Sequence, residues 1–564
     1  MSYIDWIILV ATLIGIIIYG LYQSKGQSGD AYIVAGRQMP WYVVLLGIMA
    51  TQASAITFLS GPGQAYTDGM RFVQYYFGLP LAMIVIAAVF VPLYRKMNVR
   101  TAYEYLDQRF DKKTRLLTSV LFLISRGVST GISVYAPAII LSAILDINIY
   151  LTNVLVGGLL IIYTYTGGAK AIAQTQKVQF TIILLSMAFA GYLIVQALPK
   201  GIGFGDAMYL AGKSGKLNII TTNFDVNDKY NIWSGIIGGF FLALSYFGTD
   251  QSQVGRYIGA KDSKEGRLGL LLNGFVKIPM QFLILLLGAM LFAFYSFEKA
   301  PITFNNKAEQ LIANTENPEY HALKVANSML TERNKEIAAN VVALRNTENP
   351  ISLQQNLEKL SATQIAIEQN RQAFKDLVKQ QNIPAEANDT NYIFLHFVKN
   401  YMPVGMIGLL FAVVFLASWG SISAALNALA SSSYLDVQRL IFKSARPHKA
   451  QNELKWVKIH TLFWGIFSIL VAMLATNMST SLIEVVNELG SIFYGIILGI
   501  FLVAFFFKQL QGKAVFLSAL TSQLLIFIIY INKWVGFLWL NLIGALLVIA
   551  IAFLIQYLIP KKVS

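Results

Sequence analysis

The sequence predicts an all-helical protein that threads a lipid bilayer many times. Three observations carry that reading: 56% of the 564 residues are hydrophobic, only 13% are charged, and a mean hydropathy of +0.56 is sustained by apolar runs along almost the whole chain. A hydrocarbon core of about 30 Å needs about 20 apolar residues per helical crossing, and a soluble domain has no use for such runs at this density. Thirteen candidate spans result, at about 6–22, 41–60, 73–94, 116–145, 150–166, 178–198, 232–248, 268–297, 402–430, 456–475, 483–507, 514–531 and 534–559. The first opens Met1-Ser2-Tyr3-Ile4-Asp5 with no basic lead and no small-residue cleavage site after it, so it reads as a retained span. An odd number of crossings puts the termini on opposite sides.

Lys and Arg accumulate in short cytoplasmic loops. Arg95, Lys96, Arg100, Arg109, Lys112, Lys113 and Arg115 follow span three, Arg256, Lys261, Lys264 and Arg267 follow span seven, and Arg439, Lys443, Arg446, Lys449, Lys455 and Lys458 follow span nine. These loops are expected inside. The turns at Asp146–Ile149 and Ala475–Ser481 are poor in basic residues, and the four lysines of the 199–231 loop are offset by three aspartates. The N-terminus is therefore expected outside and the C-terminus in the cytoplasm. The same bias accounts for the net charge of +15, so the expected partner is the bilayer and not nucleic acid.

The absence of cysteine excludes thiolate metal sites and disulfides, and none of the four histidines forms a metal-spaced pair. No His-Glu-x-x-His string occurs, so no enzyme is expected. Residues 300–398 depart from the membrane pattern, being rich in Lys, Glu, Asn and Gln with apolar residues at helical spacing. Asn-Thr-Glu-Asn-Pro occurs twice there, at Asn314–Pro318 and Asn346–Pro350, each time before a helix-compatible stretch. A helical hairpin on the outer side is expected, either a lid or, the preferred reading, a solvated surface insertion.

Polar backbone at bilayer depth persists only where it lines a cavity or binds something. Two spans break the apolar pattern. Span two runs GIMATQASAITFLSGPGQAY, where Gly61, Pro62 and Gly63 are expected to interrupt the helix, and span seven runs GIIGGFFLALSYFGTDQSQVGRY with Gly238, Gly239 and Gly248. They open two five-helix blocks, spans two to six and seven to eleven. Paired interrupted helices at corresponding positions point to two inverted repeats with a site between them near the midplane. Unwound carbonyls there suit a small hard cation, although small residues also serve close helix packing.

The strings ATQASAITFLSGPGQAY in span two, TGISVYAPAIIL in span four, YTYTGGAKAIAQT after span five, TDQSQVGRYIGAK after span seven and LGSIFYG in span eleven resemble the sodium/solute symporter family. Span four looks like the iodide, multivitamin and monocarboxylate branch. The resemblance implies a LeuT-like five-plus-five core with flanking helices: 1–40 an N-terminal helix and loop, 41–198 the first repeat, 199–231 an outer loop, 232–299 and 399–507 the second repeat around the 300–398 insertion, and 508–564 the C-terminal helices. It also implies a plasma membrane, a bacterial inner membrane above all, and Na⁺ as coupling ion for import of a small polar organic solute.

Carried over residue by residue, the family's sodium ligands fall on the carbonyls of Ala50 and Ala53 in span two and on Ala417, Gly420 and Ser421 in span nine. Gly420 departs from the pattern, because a hydroxyl is expected there. Some relatives bind a second sodium near an aspartate at the start of span six. That position is Gln176 here, followed by Lys177, and this region with Ser423 is where a second cation would sit. An amide lacks the anchoring charge and a lysine repels Na⁺, so one Na⁺ per solute is expected.

For the solute, intramembrane polar residues are candidates by default: Gln52, Thr57, Arg126, Tyr246, Lys277 and Asn487. Sugar-carrying relatives use the positions matching Gln52, Lys277 and Asn487, with the match of Tyr246 an inner gate. Two of their sugar-contacting positions are apolar here, Ala243 among them, so the solute is either sugar-like or carboxylate-bearing. Arg126 and Lys277 equally suit ion pairing with carboxylates. A proton-coupled porter of the same fold and a transporter-like sensor are the alternatives. Sensors of this kind carry a cytoplasmic signalling domain, whereas this chain ends directly after its last span.

Overall fold

The computed structural model describes residues 1–24, 29–145, 147–345, 349–383, 385–442, 450–475 and 482–558. The basic residues Lys443, Arg446 and Lys449, the turn residue Asp146, most of the 475–481 turn and the opening of the second Asn-Thr-Glu-Asn-Pro string lie outside the described residues. Among the described residues there is no strand, only an isolated bridge between Met39 and Ala260.

Among the described residues, ten helical stretches are long and apolar enough to cross a membrane, and the shorter Trp41–Gln52 and Ser234–Thr249 are apolar as well. Each expected span overlaps helix among the described residues, although those expected from 402 and 534 begin at Met406 and Phe537. The stretch Ile149–Gln196 is 48 residues long, about 72 Å at 1.5 Å per residue, more than twice one crossing. It bends at Gly168 (φ 62°, ψ 177°), a conformation open to glycine alone, and so supplies spans five and six. Span six therefore begins soon after Gly168, well before the expected residue 178, and Gln176 lies inside it. Thr175, Gln176 and Gln179 are fully buried. They face protein and not lipid, which is why hydropathy placed the boundary late.

Span two also differs from expectation. Its helix breaks at Ala53–Ser54, between Trp41–Gln52 and Ala55–Asp68, and Gly61, Pro62 and Gly63 lie inside the second half. Ala53 (φ −85°, ψ 81°) and Ser54 (φ −84°, ψ 176°) leave the helical region. The two glycines serve approach instead: a Cβ on Gly61 would stand 3.1 Å from the Ile284 side chain, and one on Gly63 would collide with the Thr390 carbonyl. Span seven opens with a wide π turn at Ser234–Gly238, continues through Gly239–Thr249, and breaks at Asp250 before Gln251–Ile258.

Span nine, Met406–Ser432, is the central post, with every residue from Leu410 to Ser432 buried. A helix apolar on all sides belongs in the interior. It packs against span one (Tyr3–Ser24), span four (Lys112–Leu145), spans five and six, span ten (Ala450–Leu474) and both halves of span two. The buried Asp5 carboxylate of span one accepts from the Gly405 amide at 2.7 Å and the Gly408 amide at 3.1 Å. It caps the start of span nine from a neighbouring helix. Span eight is Ser263–Phe297, span eleven Leu482–Phe506, span twelve Gly512–Ile531 and span thirteen Phe537–Leu558.

The insertion is helical: Asn306–Ala313, Pro318–Leu344, Pro350–Gln380 and Ile393–Tyr401. The repeated string explains the two long helices, since its second asparagine is the N-cap and its proline the first helical residue. Asn317 accepts from the Glu319 amide and Asn349 from the Ser352 amide. The pair packs on the transmembrane body through Leu210, Phe297, Ile337, Val341 and Leu360. Its root is polar. Arg371 pairs with Asp389 at 2.5 Å, Asn391 accepts from Ser60 of span two at 2.7 Å, and Glu386 accepts from Asn391 at 3.3 Å and from Tyr135 of span four at 3.5 Å.

Burial pushes the Glu386 carboxyl up to about 8, against hydrogen bonds from Tyr392, Asn391 and Tyr135 that lower it, while nearby Asp389 raises it further. A raised carboxyl value favours the protonated form in the folded state, so its stabilising contribution is full below the ordinary value of 4.5 and is lost as pH rises through about 8. Protease resistance of the insertion is expected to fall between pH 6 and pH 9 in the wild type and to stay level in Glu386→Gln.

Candidate functional site

The break in span two releases backbone oxygens. In an unbroken helix the amide of Ser54 would serve the Ala50 carbonyl and that of Thr57 the Ala53 carbonyl. Here the Ser54 amide donates to Gln52 at 3.1 Å and the Thr57 amide to Ser54 at 2.9 Å, so both carbonyls are set free from the ladder. Span nine lies alongside: a Cβ on Gly420 would stand 3.7 Å from the Ala50 carbonyl oxygen. Ser421 Oγ donates to the Ala417 carbonyl at 3.0 Å and the Ser418 carbonyl at 3.2 Å, leaving its lone pairs for another partner. Ala50, Ala417, Gly420 and Ser421 thus lie together where spans two and nine meet, and Ala53 closes the half-helix that carries Ala50.

The second-cation region is occupied by side chains. Gln176 Nε2 donates to the Gly420 carbonyl at 2.7 Å and to Thr51 Oγ1 at 3.3 Å. Lys177 is half-buried and, one residue further along, projects about 100° away around the helix. Ser423, fully buried, bonds back to the Trp419 carbonyl.

Beside this junction is a cavity of about 110 Å³, room for several waters or one small organic molecule. Gln52, Thr57, Arg126, Tyr246 and Asn487 all line it, together with Ser421. Of the six expected solute residues only Lys277 stands back, fully buried behind the wall, with its Nζ 5.4 Å from the centroid of the Tyr76 ring. Tyr75 donates to Asn487 Oδ1 at 3.1 Å. Gln52 Oε1 and Asn487 Nδ2 have no hydrogen-bond partner among the described residues, so two polar atoms in the wall are left to a solute or water.

At the opposite edge Arg126 is paired. Its Nε donates to Asp250 Oδ2 at 2.9 Å, its Nη2 reaches the same oxygen, and its guanidinium lies 5.1 Å over the Tyr246 ring. Asp250 also accepts from Tyr494 at 3.2 Å and, on its other oxygen, from the Ser252 amide and hydroxyl at 2.8 and 2.6 Å. The carboxylate thereby both caps the helix after the break in span seven and neutralises the arginine. Gln253 donates to the Tyr246 hydroxyl at 2.7 Å.

Sequence reasoning missed Asp250, Tyr75 and Tyr494, and also a stripe on span eight where Asn273, Lys277 and Gln281 recur every four residues. All three stripe residues are fully buried and carry atoms without partners among the described residues. The four-residue spacing on an apolar helix and the aspartate directly after Gly248-Thr249 were the available signals.

Discontinuous helices framing a polar cavity are the arrangement typical of secondary transporters. The chain belongs to the sodium:solute symporter family, whose profile matches residues 32–341 and 368–522. It is 24% identical over 562 residues to the sodium/sialic acid symporter NanT of Aliivibrio fischeri, covering 98% of this chain and 92% of that protein. It is 29% identical over 293 residues to the human sodium/iodide cotransporter, covering 51% of this chain and 44% of that one. To human sodium-coupled monocarboxylate transporter 1 it is 31% identical over 273 residues, with 48% and 44% covered. The match thus spans under half the length of these last two relatives. The fold is shared with a substrate-bound, outward-open Na⁺-coupled sialic acid symporter, at a TM-score of 0.75 and 21% identity over 99% of this chain and 98% of that one.

Breaking a buried ion pair from one side leaves an uncompensated charge, at a cost of about 3–5 kcal/mol. Asp250→Asn is therefore expected to lower the thermal unfolding midpoint clearly, and the double variant Arg126→Gln/Asp250→Asn to lose much less than the sum of the two single changes.

Proposed function

We propose that this protein is a sodium-coupled symporter that imports a small carboxylate-bearing or sugar-like solute by alternating access. The observation that carries the reading is the pair of carbonyls, Ala50 and Ala53, freed at the break in span two, with the Ala50 oxygen beside Gly420 at the junction with span nine. Neutral oxygens in that number replace part of the hydration shell of a small hard cation, and this junction opens directly onto the cavity.

The cavity supports the solute class. Gln52, Thr57 and Asn487 offer hydrogen bonds to hydroxyl or carbonyl groups, and Arg126 supplies the cation that a carboxylate seeks. To take that carboxylate, Arg126 gives up part of its bond to Asp250, so solute binding at this edge is coupled to the break in span seven. Relatives named for sialic acid and for monocarboxylates fit a carboxylate-bearing solute.

The basic loops face the cytoplasm and the N-terminus the outside of a plasma membrane. Na⁺ entering from outside holds the two halves of span two against span nine and thereby shapes the wall that carries Gln52 and Thr57. Because Na⁺ favours one arrangement over the other, it shifts the population toward the solute-binding form. Low internal Na⁺ then promotes release of both.

Proteoliposomes offered a panel of radiolabelled sialic acid, sugars and monocarboxylates are expected to accumulate one class only under an inward Na⁺ gradient, with a Na⁺ Hill coefficient near 1. Ser421→Ala is expected to raise the Na⁺ concentration for half-maximal uptake about tenfold, the equivalent of one lost ligand contact. Uptake that follows a proton gradient and ignores both Na⁺ and Ser421 would leave only the fold of the proposal standing.

A further inference from the structure

The hydroxyl absent at Gly420 has a counterpart on span six. A Cβ built on Gly420 would stand 3.0 Å from Gln179 Oε1 and 3.5 Å from Gln176 Cγ, with the Ala50 carbonyl oxygen at 3.7 Å. A serine side chain at this position would be driven into the Gln179 amide. The space that a hydroxymethyl group would fill is therefore taken by another neutral oxygen, delivered from a different helix to the same place beside Ala50.

Gln179 is fully buried and its Oε1 has no hydrogen-bond partner among the described residues. Its amide end lies against the Tyr163 hydroxyl, which is also engaged with Thr175. Buried amides are almost always satisfied, and one left open costs stability. Gln176, less than a turn earlier, is anchored: its Nε2 holds the Gly420 carbonyl and Thr51. That carbonyl is thereby spoken for, and the two spans are locked in register where Gln179 reaches over.

We infer that the side-chain carbonyl of Gln179 is a Na⁺ ligand of this protein, standing in for the hydroxyl missing at Gly420, with Gln176 as a positioning residue. The inference rests on the sodium-coupled reading above and adds a residue to that site. Side-chain amide oxygens are ordinary ligands for hard cations. They carry the same kind of dipole as the carbonyls of Ala50, Ala53 and Ala417, so the exchange keeps the shell neutral. Glycine at 420 makes the room that an amide oxygen from span six requires.

The test is Na⁺-dependent thermal stabilisation of the full-length protein in nanodiscs, with NaCl replacing KCl at constant ionic strength and no solute present. Gln179→Leu is expected to raise the half-maximal Na⁺ concentration about tenfold or more, whereas Gly420→Ser/Gln179→Ala, which restores a hydroxyl and clears its space, is expected to return most of that loss. Should Gln179→Leu fail to fold, Gln179→Glu keeps the shape and is expected to bind Na⁺ more tightly, with affinity falling in acid. A wild-type midpoint in Gln179→Leu, or in Gln179→Glu, overturns the ligand while leaving sodium symport intact. If the wild type shows no Na⁺-specific shift at all, the sodium-coupled reading itself falls, and the ligand with it.

Discussion

A backbone carbonyl inside a bilayer has no water to turn to, and the break at Ala53–Ser54 leaves two of them without their helical amides. Much of the protein's middle is arranged around that deficit. Span nine brings small residues to the junction, Ala417, Gly420 and Ser421, and small residues let backbones approach closely. Because span nine is buried on every side and capped by Asp5 of span one, it is a fixed surface against which the broken helix can be held or released.

The second break is managed differently. Span seven ends on Asp250, whose carboxylate serves the helix that follows, the Tyr494 hydroxyl and the Arg126 guanidinium at once. A buried cation and a buried anion so paired are stable only as a set. Any group that competes for Arg126 therefore acts on the backbone at the break. One broken helix presents neutral oxygens suited to a cation and the other presents a paired cation suited to an anion, and the cavity lies between the two chemistries.

The run of apolar helices, the polar helical insertion and the two broken spans were legible because they depend on hydropathy and on small polar residues in apolar runs. The break in span two was misplaced toward Gly61-Pro62-Gly63. Those residues signal helix interruption on a local view, yet here they answer tertiary contacts with Ile284 and Thr390. The early start of span six was hidden for a related reason, since Thr175, Gln176 and Gln179 lower the hydropathy of a segment whose polar face never meets lipid. Five of the six expected solute residues came together around one cavity. Lys277 stands behind its wall, because recurrence every four residues places it with Asn273 and Gln281 on the face of span eight turned toward spans two and three. Asp250 escaped notice since a lone aspartate at the end of an apolar run reads as a boundary until its partner, more than a hundred residues away, is seen.

The close approach of Thr390 to Gly63, with Asn391 on Ser60 one residue further along, joins the root of the polar insertion to the second half of span two. Two surfaces fastened through a backbone contact on a glycine and a buried hydrogen bond move as one piece. The root of the insertion at Thr390 and Asn391 is therefore a place where a fluorophore or a spin label, attached outside the transmembrane helices, can follow a tilt of that half-helix.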